Sequence, residues 1–382
     1  MKQNNSKKVI LFFSPFFSRT GSEIMLLEFI RGLDRERYNP HLFVFEKGEL
    51  VQEVPDHIPC YLPYRFTQNW KVKLLRKWIR KRGGDLLTYQ LHQLQKQIKA
   101  DFWYLNTIAI PPQVYEIAAG LGVKVVTHVH ELLFAYGFFP RSHLQNILTR
   151  TTGVVCCSNA VRQHLTAIDY RGRLWIQHNF LDTDKIDDQL RSKTINRQSL
   201  QIKDDEFVWV ASARTTYLKG LDCLPAILQG LQGEKYKIIW LGNLEDSSFS
   251  LYIERWVKLH YADRVIFAGQ QTDRYYQYMA LADGFLITSK EESFSLTAAE
   301  ATYLDIPIVC FDFGAADEVI SPPNAHIVPS WNVADFIQAM KHLMHQGRGP
   351  KAEKQKKLDF PFSKRSQMEK FNRLLDEITN SL

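Results

Sequence analysis

The stretch GFLITSKEESFSLTAAEATYL, residues 284–304, decides the fold of this chain. Its apolar start, 284–288, predicts a buried strand, and a polar turn then leads into a helix over 297–304. Ser293 or Ser295 stands where a helix N-cap belongs, so that N–H groups of the first turn would point towards a ligand at the end of the strand. A strand followed directly by a capped helix is the unit from which parallel α/β sheets are built.

Short apolar runs of the same kind recur along the whole chain, with helical patterns between them. The predicted strands of the first half cover 9–13, 41–46, 102–106, 123–128 and 153–158. Those of the second half cover 207–212, 237–241, 264–267, 284–288, 307–311 and 326–328. Alternation of strands and helices predicts parallel sheets, here in two doubly wound domains. We therefore expect an α/β protein with two facing Rossmann-like domains and a ligand cleft at the carboxyl ends of their strands.

The boundary between the two series is predicted from the polar stretch 182–205, which we interpret as a linker and surface insert. The first domain is placed at 1–180 and the second at 181–359. The final segment, 360–382, contains a helix that runs to the C-terminus.

Length and composition exclude several classes of protein. With 382 residues, 45% apolar and 23% charged, the chain is not a disordered tail, a fibre or a small disulfide scaffold. Its five cysteines are scattered without a CxxC pair, which predicts reduced thiols and no zinc site. The apolar run 9–13 is too short for a signal peptide, and no run approaches the ~20 residues that span a bilayer. We expect a soluble, cytoplasmic protein.

The charge of the chain is uneven. Its net charge is +7, but residues 1–180 carry 24 Lys and Arg against 13 Asp and Glu, whereas the remainder is mildly acidic. The excess is concentrated in 71–82, where apolar side chains are predicted on one helical face and cations on the others. The cations proposed to contact an acceptor or an anionic membrane are Lys73, Arg76, Lys77, Arg80 and Lys81. The alternative is a solvated basic helix whose apolar stripe packs on its own domain.

Two charged loops follow predicted strands of the second domain. Arg214 and Lys219 lie in the turn after 207–212, and two fixed cations there suit a diphosphate; the alternative is a solvated cation pair. Glu292 and Glu300 lie before and inside the helix of the opening stretch. Because one carboxylate accepts from two hydroxyls, this pair suits a ligand rich in diols; the alternative is two incidental surface glutamates.

Two further loops belong to the first domain. His128, His130 and Glu131 form a His-x-His-Glu run without a third metal ligand at a recognisable spacing. One imidazole is expected to donate to a sugar hydroxyl, and the other to be structural. Gly21 lies in a turn that brings the backbone close to a ligand, and Ser22 is predicted to cap a helix over 23–33.

The order of these loops resembles glycosyltransferase family 4, whose members are retaining nucleotide-sugar transferases with the two-lobed GT-B fold. The most specific match is 289–320, which contains the acidic pattern from Glu292 to Glu300. Further matches are Arg214 and Lys219 to the family's diphosphate-binding cations, His130-Glu131 to its His-Asp/Glu pair, Gly21 to its first glycine loop and Asn179 to its interdomain junction. The helix after Phe360 resembles the closing helix that crosses back onto the first lobe.

The resemblance implies a role for each matching position. Arg214 and Lys219 would neutralise the β-phosphate of the donor, and His130 would orient the sugar and stabilise developing positive charge. Glu300 would hold the ribose and Glu292 the transferred sugar. The implied donor contacts are Gly21, Arg214, Lys219, Glu292, Phe294, Ser295, Leu296 and Glu300, and the catalytic set is His130, Arg214, Lys219 and Glu292.

The implied partners are a nucleoside-diphosphate sugar, which is a substrate, and a glycan or lipid-linked acceptor of polysaccharide synthesis. No cofactor, metal or nucleic acid is expected, and the protein is expected in the cytoplasm, at the inner face of the membrane if the basic lobe binds lipid. Ser293 and Ser295 stand where the family has glycines, which leaves the shape of the donor pocket open. The alternatives are a non-catalytic module of the same fold that docks a polyanion through the basic lobe, and a sugar-nucleotide epimerase.

Overall fold

A computed structural model describes residues 7–66, 69–192, 194–320, 325–347 and 359–381. The chain divides into two compact units, Met1–Asn179 with Gln367–Leu382, and Phe180–Ser366. The second division falls seven residues after the 359/360 boundary that the sequence suggested. The reason is packing within the second unit, where Phe360 contacts Tyr303 and Phe362 contacts Phe294, with ring centroids 5.3 and 5.1 Å apart.

The described part of the first unit contains a sheet of seven parallel strands. They are β1 Lys8–Ser14, β2 Tyr38–Val44, β3 Cys60–Tyr61, β4 Phe102–Asn106, β5 Lys124–Val129, β6 Gly153–Cys156 and β7 Arg173–Ile176. Their order is β3-β2-β1-β4-β5-β6-β7. Central strands are apolar runs because helices cover both faces; Ile10 to Phe13 of β1 are fully buried.

Two strands of this sheet were not predicted. β3 has only two residues, too few for a pattern, and β7 is a half-buried edge strand that begins with an arginine. The helices of the unit are α1 Gly21–Arg31, α2 Trp70–Lys81, α3 Leu86–Ile98, α4 Pro112–Leu121, α5 Leu133–Tyr136, α6 Arg141–Arg150 and α7 Asn159–Ala167. The prediction that Ser22 caps α1 is wrong, because the helix begins at Gly21 and Thr20 is its N-cap.

The described part of the second unit has a sheet of six parallel strands. They are β8 Phe207–Ser212, β9 Tyr236–Leu241, β10 Val265–Gly269, β11 Gly284–Ile287, β12 Ile308–Phe311 and β13 Ala325–Val328. Their order is β10-β9-β8-β11-β12-β13. The helices are α8 Thr183–Arg191, α9 Leu224–Gly230, α10 Ser248–His260, α11 Tyr275–Met279, α12 Leu296–Tyr303, α13 Ala316–Val319 and α14 Val333–Gln346.

The stretch 182–205 is not a plain linker, because it contains α8 and a 3-10 turn at Gln198–Leu200. α8 packs into the second unit: Ile186 is fully buried, and the Tyr303 hydroxyl donates to Asp187 at 3.0 Å. The polarity of this helix concealed it, since Ile186 is the single fully buried residue among its nine.

The last helix, α15 Lys364–Ser381, belongs to the first unit from Gln367 onwards. Phe371 packs on Phe29 with ring centroids 4.3 Å apart, and Asp376 accepts from the Tyr38 hydroxyl. The predicted two-domain α/β fold with a C-terminal helix on the first domain is confirmed.

Each sheet has one point where the strand order reverses. In the first sheet that point lies between β1 and β4, and in the second between β8 and β11. The loops that leave the carboxyl ends of two such strands diverge and leave a crevice, which is the usual ligand position in open α/β sheets. Within the described ranges, no helix is long and apolar enough to span a membrane, and all five cysteines are free.

Candidate active site

The two loops at the reversal point of the second sheet are joined by an ion pair. The Lys219 Nζ donates to Glu292 Oε1 at 2.6 Å, and both side chains are largely buried, 23% and 17% exposed. Two further contacts hold the loops together: the Thr288 hydroxyl donates to the Lys219 carbonyl at 2.8 Å, and the Lys290 N–H donates to the Leu218 carbonyl at 2.9 Å. The loop after β8 is therefore fixed on the loop after β11.

Gly220 makes this close approach possible. Its φ is +74°, and a Cβ at this position would lie 2.0 Å from the Thr288 carbonyl oxygen. Any side chain would push the two loops apart and displace Lys219, which precedes it.

Arg214 lies outside this contact. Its side chain is 70% exposed, and Nη1 donates to Glu245 Oε1 at 3.3 Å. The structure thus brings Lys219 and Glu292 together and places the Arg214 guanidinium on Glu245 in the same unit. Because exposed ion pairs of this kind contribute little, the Arg214 side chain is available for a ligand that enters the crevice.

Glu300, on α12, is held by two tyrosines that are not among the site residues predicted from the sequence. The Tyr275 hydroxyl donates to Oε2 at 2.8 Å and the Tyr276 hydroxyl to Oε1 at 2.9 Å. The Tyr275 oxygen also bonds the Ser212 hydroxyl, at the end of β8, over 2.9 Å. Burial raises the pKa of Glu300 to about 7, although both tyrosine hydrogen bonds act in the opposite direction.

Each Glu300 oxygen keeps one lone pair beyond its tyrosine bond. In its ionised form this carboxylate can therefore accept two more hydrogen bonds, as a pair of adjacent hydroxyls would supply. The sequence signal for the tyrosines is the Tyr275-Tyr276 dipeptide at the start of α11, which follows β10 at the same sheet edge.

The start of α12 combines a cap with unusual backbone. Ser295 Oγ accepts from the Ala298 N–H at 3.4 Å, as predicted for one of the two candidate serines, and its φ is +64°. This serine keeps the left-handed conformation that the family's glycine would adopt freely. The first-turn N–H groups of Leu296 and Thr297 have no partner within the helix. Phe294 is buried against Phe362, so its side chain is not accessible to a ligand.

In the first unit, the reversal point gathers the predicted Gly21 and His130. Gly21 opens α1 just after β1, and a Cβ on it would meet nothing within 4 Å, so open space lies over this backbone. The His130 Nε2 contacts the Asn106 Oδ1, at the end of β4, over 3.0 Å. Glu131 accepts at its two oxygens from the N–H of His130, at 2.8 Å, and of Ile108, at 3.3 Å.

The two histidines of the His-x-His-Glu run differ in environment. His128 is fully buried and bonds the Tyr104 hydroxyl over 2.9 Å, which makes it the structural member of the pair. The His130 ring packs against it, with centroids 3.9 Å apart and ring planes tilted by 38°. Burial lowers the pKa of His130 to about 3, so this imidazole is neutral at physiological pH. A neutral imidazole does not repel positive charge that develops at a sugar, so the role expected for His130 stays a prediction.

Glu23 and Asn106 belong to this cluster and were missed. Glu23 is fully buried, and its Oε2 accepts from the hydroxyls of Ser22, at 2.8 Å, and Thr20. The Asn106 Nδ2 donates to the Ser22 carbonyl at 3.2 Å. The spacing Thr20-x-x-Glu23 is the signature of a helix capping box and was the signal available for Glu23.

The basic helix α2 exposes most of its predicted cations. Lys73, Lys77, Arg80 and Lys81 are exposed. Arg76 is not, because its guanidinium donates to the carbonyls of Tyr64, at 3.4 Å, and Arg65, at 3.2 Å. It supports the turn before the helix instead. No cluster of three or more His, Cys, Asp or Glu suited to a metal ion occurs in the portion of the chain that the structure describes.

Comparison with known proteins identifies the family. The model for Glycosyltransferase Family 4 matches residues 19–185, and that for Glycosyl transferases group 1 matches 192–359. No curated protein matches the chain.

Solved structures share the fold at low identity. Anabaena HepE in complex with UDP-glucose is 20% identical, with a TM-score of 0.73 over 98% of this chain and 100% of that one. Sucrose-phosphate synthase from Thermosynechococcus elongatus is 15% identical, with a TM-score of 0.74 over 98% and 100%. The lipopolysaccharide outer core galactosyltransferase WaaB is 16% identical, with a TM-score of 0.71 over 97% and 99%. The chain belongs to the glycosyltransferases, with a family 4 domain followed by a group 1 domain on the GT-B fold.

Proposed function

We propose that this protein is a retaining, metal-independent glycosyltransferase that moves a sugar from a nucleoside-diphosphate donor to a glycan or lipid-linked acceptor. The observation that carries the proposal is the Lys219–Glu292 contact at the reversal point of the second sheet. A nucleotide sugar joins a negatively charged diphosphate to a sugar. In this contact, the ammonium can bind the diphosphate and the carboxylate can accept hydrogen bonds from the sugar hydroxyls. The complex of HepE with UDP-glucose supports a donor of this class.

In this proposal, Lys219 exchanges its carboxylate partner for the β-phosphate of the donor. Negative charge accumulates on that phosphate as the glycosidic bond breaks, and an ammonium already positioned there stabilises it without reorganisation. Arg214 swings from Glu245 to the same phosphate, and the first-turn N–H groups of α12 add partial positive charge. These groups supply the role that a metal ion has in other transferases.

The two glutamates bind different hydroxyl groups of the donor. Glu300 accepts from the two ribose hydroxyls with the lone pairs that Tyr275 and Tyr276 leave. Glu292, released by Lys219, accepts from the transferred sugar. A front-face transfer keeps the anomeric configuration of the donor.

The test is a thermal-shift screen with UDP-, GDP- and ADP-sugars, followed by NMR of the product formed by any donor that stabilises the protein. We expect one nucleotide class to raise the melting temperature, the product to have the donor's anomeric configuration, and EDTA to leave the rate unchanged. An inverted product would contradict retention, and loss of turnover in EDTA would contradict metal independence.

We further propose that α2 holds the first unit on an anionic membrane surface, at the inner face of the membrane, where a lipid-linked acceptor is met. Trp70, Leu74 and Trp78 recur at intervals of four and are 65%, 57% and 47% exposed, so they form one apolar stripe on the helix surface. The exposed lysines and arginines flank it, whereas Ile79 packs inward. Exposed Trp beside Lys and Arg is the pattern of an interfacial helix.

Vesicle co-sedimentation tests this surface. Wild-type protein is expected to bind vesicles that contain phosphatidylglycerol and not pure phosphatidylcholine, and each of Lys73→Glu and Lys77→Glu is expected to remove about 1 kcal/mol of binding. Lys235→Glu, an exposed lysine of the other unit, is the matched control. Equal binding by the wild type and by the variant that combines Lys73→Glu with Lys77→Glu would contradict the proposal.

A further inference from the structure

A chain of hydrogen bonds in the first unit determines which nitrogen of His130 carries the proton. The Asn106 Nδ2 donates to the Ser22 carbonyl at 3.2 Å, which fixes the orientation of the amide. Its oxygen therefore faces the His130 Nε2 at 3.0 Å and can only accept. Nε2 must carry the hydrogen, so Nδ1 of the neutral ring is an acceptor.

Glu23 fixes the other end of this chain. Its Oε2 accepts from the hydroxyls of Thr20 and Ser22, which draws the first turn of α1 onto the carboxyl group and aims the Ser22 carbonyl at Asn106. Thr20 makes no side-chain cap bond to the helix backbone, because its hydroxyl is used here. The Glu23 Oε1 is buried and has no hydrogen-bond partner among the residues the structure describes.

We propose that Glu23 and Asn106 are positioning residues that hold His130 in its Nε2-protonated form, so that the imidazole accepts a hydrogen bond from a substrate hydroxyl at Nδ1 and does not donate one. This inference rests on the proposed function for the identity of the hydroxyl, which belongs to the transferred sugar or the acceptor. The sequence led to the expectation that one of the two imidazoles donates to a sugar hydroxyl, whereas this proposal makes His130 an acceptor.

The charges around His130 agree with this assignment. Burial lowers the pKa of the imidazole to about 3, which leaves one proton on the ring at neutral pH. Burial also raises the pKa of Glu23 and of Glu131 to about 7, and the charge of Glu23 contributes to the shift of Glu131. Both Glu131 oxygens accept from backbone N–H groups. His128, which packs against His130, is neutral. Neither residue therefore favours a charged His130 ring.

Nitrogen-15 NMR of histidine-labelled protein tests the tautomer without any substrate. The His130 signals, assigned with His130→Gln, are expected to show a protonated Nε2 and an unprotonated Nδ1 between pH 5.5 and 8. A proton on Nδ1, or a ring that becomes charged in this range, would overturn the inference. The result does not depend on turnover, so it is separate from a failure of the proposed function, which would appear as no nucleotide-sugar binding.

Asn106→Asp is the decisive variant. A carboxylate still accepts from Nε2, but it cannot donate to Ser22 and it favours a charged ring. The pKa of His130 is expected to rise, and kcat is expected to fall about tenfold or more with a new acidic limb in its pH profile, while the donor KM changes less than about twofold.

Glu23→Gln keeps an oxygen that accepts from both hydroxyls, and it is expected to retain the tautomer; Glu23→Ala is expected to lose it. Glu28→Gln, at a half-buried glutamate of α1 that pairs with Arg31, is the matched control. A wild-type His130 spectrum in both Asn106→Asp and Glu23→Ala would overturn the positioning role.

Discussion

Replacement of Lys219 by Met removes the ammonium and keeps the length of the side chain. In the absence of donor, this nitrogen lies 2.6 Å from Glu292 with 23% of the side chain exposed, so it is an almost desolvated cation. In the proposed mechanism, the same cation faces the phosphate of the bound donor. At a separation of ~4 Å and an effective dielectric constant of ~20, one unit-charge pair contributes about 4 kcal/mol before desolvation.

That energy corresponds to a loss of about a thousandfold in kcat/KM as an upper bound, because each tenfold in rate is 1.36 kcal/mol. The effect belongs mainly in kcat, since the phosphate gains charge in the transition state. The assay follows release of nucleoside diphosphate from the donor sugar in the presence of acceptor. Lys235→Met is the matched control, since this lysine pairs with Asp205 at 2.7 Å on the exposed surface of the same unit.

The variant also leaves Glu292 without its partner, and we expect unfolding in urea to show a loss of about 1–3 kcal/mol. Lys219→Met combined with Glu292→Gln is expected to recover part of that stability and none of the activity. A Lys219→Met protein that folds and retains kcat/KM within about threefold of the wild type would refute the assignment of the leaving-group cation.

Three further predictions concern Ser295 and the buried carboxyl groups. Ser295→Ala loses the cap and keeps the positive φ, so it is expected to lower the free energy of unfolding by about 1 kcal/mol. Ser295→Gly relieves the strain of the positive φ and is expected to be neutral or stabilising. Urea unfolding of both variants tests this, and equal losses of stability would contradict it. Donor affinity is expected to rise as pH increases through about 7, because the pKa of Glu300 is raised to that value and the ionised form is the one proposed to accept ribose hydroxyls. Calorimetry of the wild type and of Glu300→Gln checks this, and the variant is expected to show no such dependence on pH. The pKa of Glu23 is raised from 4.5 to about 7, so its contribution to stability is fully present below pH 4.5 and is lost as pH rises through about 7. The free energy of unfolding is therefore expected to fall between pH 5 and pH 8, by up to about 3 kcal/mol more in the wild type than in Glu23→Gln.

The central strands could be predicted from the sequence because burial on both faces leaves a continuous apolar run. The run 102–106 coincides with β4, and 207–212 coincides with β8. The two-residue β3 and the half-exposed β7 have no such signature, since edge strands are held by pairing with a neighbour. α8 was interpreted as a linker because a helix that buries one side chain shows little apolar periodicity.

The charged residues of the site could be predicted from the sequence because they lie in loops that directly follow strand ends. Lys219 and Glu292 meet because their loops leave adjacent strands, and strand adjacency follows from the doubly wound order. The partners of Glu300 and His130 were not predictable in the same way. Tyr275 and Asn106 reach these residues through side-chain contacts between separate βα units, and only the assembled sheet specifies such contacts.

The most direct test of the account is calorimetric titration of UDP, GDP and ADP into the wild-type protein and into Lys219→Met. One nucleotide is expected to bind the wild type with measurable affinity and to stabilise it by about 2.7 kcal/mol at 100 times its dissociation constant, and the variant is expected to lose at least tenfold in affinity. Failure of all three nucleotides to bind, or equal affinity for wild type and variant, would show that the crevice of the second unit does not receive a nucleoside diphosphate.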